Sequence, residues 1–282
     1  MTNPVTNPMT NTVGSGGDHI AGPALGRAPL RLLLPAMLGL GLLALPLLTL
    51  LARTPWSTMP ARLVEPQVLD ALWLSLLTST IAMALCLVLG LPLAWVLART
   101  SFRGRSFLRG VVTVPLVLPP VVAGVALLSA FGRNGVLGAP LREVAITIPF
   151  TTTAVVIAHT FVALPFFVIS VEGALRATNQ DYDIVAATLG ADRWTIFRRV
   201  TLPLAVPGII AGLVLGWARS LGEFGATITF AGNYPGTTQT MPSLIYGALQ
   251  ADPEVARTLS MILLIVSVAI LAALRNRWLV RP

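Results

Sequence analysis

Hydrophobic positions along the chain group into six long runs, which are separated by shorter segments with polar and charged residues. The runs fall at approximately residues 30–52, 70–98, 107–131, 147–171, 204–230 and 257–274. An α-helix needs roughly 20 apolar residues to cross a hydrocarbon core of about 30 Å, and each run provides about that length. The pattern therefore predicts an all-α, polytopic membrane protein with six transmembrane helices.

Residues 1–29 have a different character, because they are rich in Thr, Asn, Pro and Gly and hold few apolar side chains. Such a composition is typical of a disordered segment. A secretory signal begins with basic residues that lead directly into an apolar run. In this chain the first basic residues are Arg27 and Arg31, which lie far from the amino terminus. We expect a disordered tail at 1–29 and one transmembrane domain at 30–282.

Composition supports the membrane assignment and narrows the function. The mean hydropathy is +0.81 and only 11% of residues are charged, against about 25% in soluble proteins. All 19 basic residues are arginines. A phosphate-binding loop of the GxxxxGK[ST] type, or a Schiff base, needs a lysine and is therefore excluded.

The arginines also predict the orientation. If the amino terminus lies inside, most of them fall in inside segments, chiefly at 99–109, 176–199 and 275–281. Basic loops remain on the cytoplasmic side of a membrane. We therefore expect the chain in the plasma membrane with both termini in the cytoplasm. Because membrane topology accounts for the net charge of +8, this charge does not indicate nucleic-acid binding.

Candidate catalytic or metal-binding residues are few. His19 falls in the tail and His159 stands alone in the fourth run, so no cluster suggests a metal site or an enzyme. We interpret His159 as a hydrogen-bonded interior histidine. Cys86 is the single cysteine, which excludes an internal disulfide, and its apolar neighbours predict a buried side chain.

The most unusual stretch is the polar loop between the fourth and fifth runs. From Asp181 a short helix is predicted, with acidic residues in its first turn and an end at Gly190. Asp192 is placed to cap a second short helix, and Pro203 then either ends this helix or opens the next span. The loop either rests on lipid headgroups or docks into a groove on a cytoplasmic partner, with Gly190 permitting the bend.

Spacing in this loop resembles the cytoplasmic loop of ABC importer permeases, since Ala186 is followed by Gly190 and then by the pair Leu202–Pro203. "SLGEFGA" and "GATITFAGNYPGTTQT" in residues 217–246, and "VPLVLPPVVAGVALLSAFGRNGVLG" in residues 114–138, resemble molybdate permeases in particular. Sulfate permeases share the first motif, and tungstate permeases are related. The resemblance covers about residues 70–275, with one departure: Ile184 stands where the family has an acidic residue, next to Asp183.

The resemblance implies a type I ABC importer permease fold with a coupling loop at about residues 181–203. The candidate residues that it assigns to this loop are Asp183, Ala186, Ala187, Gly190, Ala191, Trp194, Phe197, Leu202 and Pro203.

Two copies of the chain would form the pore in the bilayer. A cytoplasmic ABC ATPase dimer, with ATP and magnesium, would bind the coupling loop, and an extracytoplasmic molybdate-binding protein would deliver the anion. The chain itself would hold no cofactor and catalyse no reaction. Alternatives are a sulfate-type ABC permease and, from another class, a secondary ion-coupled transporter, which would show internal repeats and more ionisable residues in its spans.

Candidate pathway residues come from two runs. Pro119 and Pro120 would break the third helix, as a gate requires, or they reflect only the greater frequency of proline in membrane helices. In the fifth run Arg219 and Glu223 are four residues apart and can pair, and intramembrane charge marks either a pathway or a structural ion pair.

Ser220 belongs to the same candidate pathway and also ends a strip of small residues, Gly208, Gly212, Gly216 and Ser220, at intervals of four. Such a strip is typical of a helix-packing face. We expect it to pack either within the subunit or against the second copy.

Overall fold

A computed structural model describes residues 30–278 and, for side chains, residues 31–273. The predicted tail at 1–29, including Arg27, and the terminal Arg281 lie outside the described residues. The described chain is helical, without a β-strand. The helices are α1 (Leu30–Arg53), α2 (Met59–Leu63), α3 (Pro66–Arg99), α4 (Arg105–Val117), α5 (Pro120–Phe131), α6 (Gly138–Glu143), α7 (Thr152–Ala177), α8 (Asp181–Thr188), α9 (Arg193–Leu221), α10 (Gly225–Phe230), α11 (Met241–Ala251) and α12 (Pro253–Trp278).

Helices α1, α3, α7, α9 and α12 are each long and apolar enough to cross a membrane. Helices α4 and α5 pass the same test as a pair but meet at an angle of 119°. The described residues thus hold five candidate spans, or six if the bent pair is one span, and the prediction of a helical multi-pass membrane protein is confirmed.

The chain divides into two compact units, Met1–Thr49 and Leu50–Pro282. In the described part of the first unit, α1 is almost wholly apolar and carries Pro35 and Pro46 in its interior. Interior prolines are tolerated in membrane helices. All the contacts below belong to the second unit.

Helix α7 is central to the second unit. One cluster of buried side chains joins it to α3 and α9, through Phe167 of α7, Leu97 of α3 and Ile209 of α9. A second cluster joins its first half to α5 and α10, where Phe230 is fully buried. Because α7 is packed by helices on several sides, its sequence is apolar around most of its circumference.

The strip of small residues on α9 packs within the chain. A side chain at Gly208 would collide with Ala174, and Gly212 lies against Phe167 and Ser170, all on α7. The alternative, that the strip faces a second copy, is therefore wrong for these positions. Small residues allow the two helices to approach closely, and this contact fixes α9 to the centre of the molecule.

Helices α3 and α9 each contain one π-helical turn, at Cys86–Gly90 and at Phe197–Thr201. Each turn ends two residues before a proline, Pro92 or Pro203. Proline has no N–H for the carbonyl one turn earlier, and a π turn shifts the hydrogen-bond register at that place. Both helices continue past Pro92 and Pro203 without a break.

Two of the predicted spans are interrupted in the structure. The third run, predicted as one span over 107–131 with a break at Pro119 and Pro120, is broken after Val117, since Leu118 and Pro119 adopt extended ψ angles of 129° and 139°. The fifth run, predicted over 204–230, ends at Leu221 and resumes as α10 at Gly225. Residues 231–256, which separate the fifth and sixth runs, contain helix α11.

Candidate functional site

The first half of the predicted coupling loop is the helix α8, and both of its ends are capped. Asn179 accepts a hydrogen bond from the Asp181 N–H (3.0 Å), and Asp181 and Asp183 occupy the first turn, where acidic side chains are favoured. At the other end Gly190 N–H donates to Ala187 O (3.0 Å) and Ala191 N–H to Ala186 O (3.1 Å). This pair of bonds is a Schellman motif, which requires a left-handed residue.

Gly190 is that left-handed residue, with φ of +86°. No atom lies within 4 Å of the position that a Cβ would take. Glycine is therefore required here by the backbone conformation rather than by space inside the chain. The predicted end of the short helix is confirmed, and Ala186, Ala187 and Ala191 are its capping residues.

The second half of the loop begins at Asp192, which caps helix α9. Its carboxylate accepts hydrogen bonds from the Thr195 hydroxyl and from the Trp194 N–H (3.2 Å). The bond from Thr195, with the backbone bonds, lowers the pKa of Asp192 below its ordinary value. The cap therefore remains ionised at neutral pH.

The prediction of a second separate helix is wrong. Residues from Arg193 onward form the first turns of α9, which runs through the π turn and Pro203 to Leu221. Leu202 packs against the main core cluster, while Pro203 is exposed. The loop is therefore a short helix followed directly by the end of a membrane helix.

Asp183 connects the loop to the rest of the chain. Its Oδ2 lies 3.5 Å from Arg99 Nε, and its Oδ1 accepts a hydrogen bond from the Thr201 hydroxyl (3.1 Å). Three helices, α3, α8 and α9, thus meet at one carboxylate. Ile184, where the family has its acidic residue, is 59% exposed. Arg99 and Thr201 were missed by sequence reasoning, since nothing in the pattern indicates a contact between residues so far apart.

Apolar side chains cover the outer face of α8. Tyr182, Val185 and Leu189 are exposed, Leu189 by 82%, and their spacing places them on one side of the helix. Trp194 is 66% exposed, and its ring lies 5.6 Å from that of half-buried Phe197. A capped helix with an exposed apolar face has the form of a segment that docks into a groove.

Arg219 and Glu223 form the expected ion pair, with 2.6 Å between Nη1 and Oε2. Glu223 is not on the same helix, however, because α9 ends at Leu221. Its carboxylate is 1% exposed and also accepts a hydrogen bond from the Ala226 N–H (2.9 Å) at the start of α10. The carboxylate therefore bridges the break between α9 and α10.

The two stretches that carry the resemblance touch each other. A Cβ on Gly225 would lie 2.5 Å from Pro120 Cβ, and one on Gly124 the same distance from Thr229 Cβ. Helices α5 and α10 therefore pack through glycines directly behind the Pro119–Pro120 break. The structure brings Pro120 close to the Glu223 segment, which the sequence did not predict.

Ser220 belongs to a buried polar layer. Gly216 lies against Met83 and Ala163, and one turn further along the three helices are Ser220, Ser79 and His159, each 0% exposed. Ser79 Oγ lies 3.5 Å from His159 Nδ1, which agrees with the interpretation of His159 as an interior residue. Cys86 is buried as expected.

A second ion cluster, missed from the sequence, joins α4 to α7. The Glu172 carboxylate, 8% exposed at its side chain, pairs with Arg109 and with Arg176 (2.8 Å). Glu172 and Arg176 are four residues apart on α7, and this spacing could have indicated a pair. No sequence signal indicates the contact of Glu172 with Arg109 on α4.

Comparison with known proteins agrees with this architecture. The model of the family "Binding-protein-dependent transport system inner membrane component" matches residues 87–281. The molybdenum transport system permease protein ModB of Mycobacterium bovis is 48% identical over 86% of this chain and 92% of its own length. The sulfate transport system permease protein CysT of Escherichia coli is 36% identical over 83% and 86% respectively.

A solved structure of a bacterial ABC transporter involved in alginate import matches with a TM-score of 0.69, at 19% identity, over 89% of this chain and 96% of that one. At this level of identity the match concerns the fold, which is that of type I ABC importer permeases. The predicted fold class is confirmed.

Proposed function

The chain belongs to the family of binding-protein-dependent transport system inner membrane components, and from that premise we propose that it is the membrane-spanning subunit of an ATP-driven importer of molybdate. Similarity to a molybdenum transport permease over nearly its whole length supports the substrate. Family membership also favours an ABC importer over the alternative of a secondary ion-coupled transporter.

The observation that carries the proposal is the form of the coupling loop. Helix α8 exposes Tyr182, Val185 and Leu189, while Asp183 on its opposite side is bonded to Arg99 and Thr201. A helix that exposes an apolar face and is held to its own chain by polar bonds on the other side is suited to bind a partner protein through the exposed face. We assign this partner to a cytoplasmic ABC ATPase dimer. The chain lacks the lysine of a phosphate-binding loop, so ATP and magnesium would bind to the ATPase.

Motion would pass from the loop into the membrane through α9. Asp192 caps α9 where the loop ends, and the small-residue strip of α9 packs on α7. When ATP draws the two ATPase subunits together, the loops of two permease copies approach and their spans tilt. The cavity between the copies then opens outward, and hydrolysis reverses the change.

Selection of the anion would rest with an extracytoplasmic binding protein. The arginines of the proposed outer segments, Arg53, Arg62, Arg133, Arg142 and Arg257, are scattered along the sequence. Arg62 is paired with Glu65 (2.8 Å), and Arg257 lies 3.8 Å from Glu254. A weak site suits a conduit, because an ion bound tightly in the permease would not leave it.

Uptake into proteoliposomes tests the proposal. The vesicles hold this chain with its ATPase and its binding protein, with or without enclosed ATP, and receive molybdate, tungstate or sulfate. We expect accumulation of molybdate that requires both ATP and the binding protein. An ATPase variant that cannot hydrolyse ATP is the matched control.

Each other outcome contradicts one part of the proposal. Preference for sulfate over molybdate with the same ATP requirement would identify a sulfate-type ABC permease, as the resemblance to CysT allows. Uptake that follows an ion gradient and ignores ATP would overturn the importer mechanism.

A further inference from the structure

A polar cavity of about 380 Å³ lies where the end of α3 meets the coupling loop. Its lining includes Arg99 at the end of α3, Ser101 after that end, Gln180 just before α8, Asp183 in the first turn of α8, and Arg193 at the start of α9. The docking face of α8, formed by Tyr182, Val185 and Leu189, is not part of this lining. A ligand in the cavity would therefore leave this apolar face free, although Asp183 and Phe197 of the coupling loop are among the lining residues.

Arg99 is the central side chain of this cavity, and it is only 7% exposed. Its Nη2 donates to the Thr178 hydroxyl (2.6 Å), and its Nε faces Asp183 at 3.5 Å, too far for a good hydrogen bond. Within the described residues, Nε and Nη1 have no hydrogen-bond partner. A guanidinium keeps its charge in proteins, so buried free donors favour a bound acceptor.

The charges of the cavity favour an anion. Arg99 and Arg193 contribute two positive charges, and Asp183 contributes one negative charge that already accepts a hydrogen bond from Thr201. Ser101 and Gln180 add neutral donors. Arginines with fixed neutral donors are the groups that bind the several oxygens of a phosphate.

An apolar cavity of about 360 Å³ adjoins the polar one. It is lined by Pro92, Trp95, Val96, Arg193, Trp194 and Phe197. Trp95, Arg193 and Phe197 line both cavities, and the Trp95 and Phe197 rings meet edge to face at 5.9 Å. Tryptophan beside arginine at a helix end is typical of the membrane interface.

We propose that the polar cavity binds a phosphate group through Arg99 and Arg193, and that the adjoining apolar cavity holds an acyl chain of the anionic phospholipid that carries it. Such a lipid would contact α3, the start of α8 and α9 at once. It would brace the loop on its membrane side while leaving the outer face of α8 free.

Native mass spectrometry of the full-length chain in detergent tests the proposal, with phosphatidylglycerol and phosphatidylcholine as probes. We expect retention of phosphatidylglycerol in preference to phosphatidylcholine. Arg193→Gln and Arg99→Gln should each weaken this retention roughly tenfold, as expected for the loss of a charged hydrogen-bond donor. Arg198→Gln is the matched control, because Arg198 is exposed nearby and lines neither cavity.

Further variants separate the two sources of phosphate. Trp194→Ala, at a side chain 66% exposed, should weaken retention of the lipid but leave binding of inorganic phosphate unchanged. If inorganic phosphate binds the delipidated chain through Arg193 and the two lipids are retained equally, the phosphate site stands and its lipid source is wrong.

Equal retention of phosphatidylglycerol by the wild type, Arg193→Gln and Arg198→Gln, with no phosphate binding that depends on Arg193, would overturn the proposal. Arg193 is exposed, so this outcome can be measured whether or not Arg99→Gln folds. The binding is measured without ATP or molybdate, and its failure would leave the proposed transport function untouched.

Discussion

Gly190 shows how much one residue determines in the coupling loop. Its left-handed backbone lets the chain close α8 with two hydrogen bonds to Ala186 and Ala187 and turn toward Asp192. The surrounding space is open, so a side chain there would meet no other part of the chain. Any effect of substitution must come from the backbone or from a bound partner.

Gly190→Val tests the backbone requirement. An L-residue in the left-handed region loses about 1–2 kcal/mol of conformational free energy, and a β-branched residue loses no less. This cost favours opening of the Schellman motif. We expect normal membrane insertion with ATP-driven molybdate uptake largely lost. Gly190→Asn, which tolerates this conformation better, should retain more uptake. Equal loss in both variants would mean that the partner, rather than the backbone, excludes the side chain.

Gly190→Asp addresses the docking surface. Because aspartate also tolerates left-handed backbone better than valine does, it mainly adds charge beside an apolar face. We expect an inserted but uncoupled protein. Uptake at the wild-type rate in this variant would count against docking of the loop.

Glu223 is the second residue with a large individual effect, because its buried carboxylate serves both Arg219 and the Ala226 N–H. Arg219→Gln would leave that carboxylate unpaired. Loss of one partner of a fully buried pair costs about 3–5 kcal/mol, and partial exposure of Arg219 reduces this to roughly 1–3 kcal/mol. We expect a lower midpoint of thermal unfolding in detergent.

The double variant Arg219→Gln/Glu223→Gln is the control. A glutamine at 223 keeps an oxygen acceptor for Ala226 and removes the unpaired charge, so the double variant should be more stable than Arg219→Gln alone. The changes in unfolding free energy of Arg219→Gln and Glu223→Gln are also measured separately. If their sum equals the change in the double variant, the two charges do not interact and the ion pair has no structural role.

At the scale of elements, the sequence pattern located helices well and their breaks less well. Hydrophobic length was enough for α3, α7 and α12, because long apolar runs leave few alternatives in a bilayer. Prolines gave opposite results. The helix is interrupted at Pro119 and Pro120, whereas at Pro92 and Pro203 it continues after a π turn. That choice depends on packing, which spacing alone does not reveal.

The contact between α5 and α10 makes a specific prediction. A methyl group on Gly225 would stand 2.5 Å from the Pro120 ring, so Gly225→Ala must push the two helices apart. Overpacking of this kind costs roughly 1–3 kcal/mol. We expect a lower thermal midpoint and slower uptake, because the break at Pro120 is a candidate gate.

Gly247→Ala is the matched control for Gly225→Ala. Gly247 lies within helix α11, and no atom is within 4 Å of its Cβ position. Alanine there should leave the thermal midpoint unchanged or raise it, since glycine costs roughly 0.5–1 kcal/mol in a helix interior. A drop as large as that of Gly225→Ala would show that the contact with Pro120 is not the cause.

At the scale of the whole molecule, the sequence predicted the fold class and the loop, but not the contacts that link distant segments. Arg99 with Asp183, Arg109 with Glu172 and Gly225 with Pro120 each join residues far apart in sequence. Periodicity reports which face of a helix is apolar, whereas these pairings depend on how the helices pack. The polar loop was located from signals that are local in the sequence, its helix caps and Gly190, and the resemblance to ABC importer permeases then identified it as a coupling loop.

Orientation in the membrane is the remaining prediction at this scale, and the single cysteine makes it testable. Cys86 is fully buried, so the wild-type chain should give only background labelling by a membrane-impermeant maleimide. Arg103→Cys introduces a thiol at an exposed position between α3 and α4, and Val136→Cys one at a position 83% exposed between α5 and α6. The distribution of arginines places residue 103 inside and residue 136 outside. In intact cells Val136→Cys should therefore be labelled, and Arg103→Cys only after permeabilisation. The reverse pattern would invert the topology and remove the coupling loop from the side on which ATP is found.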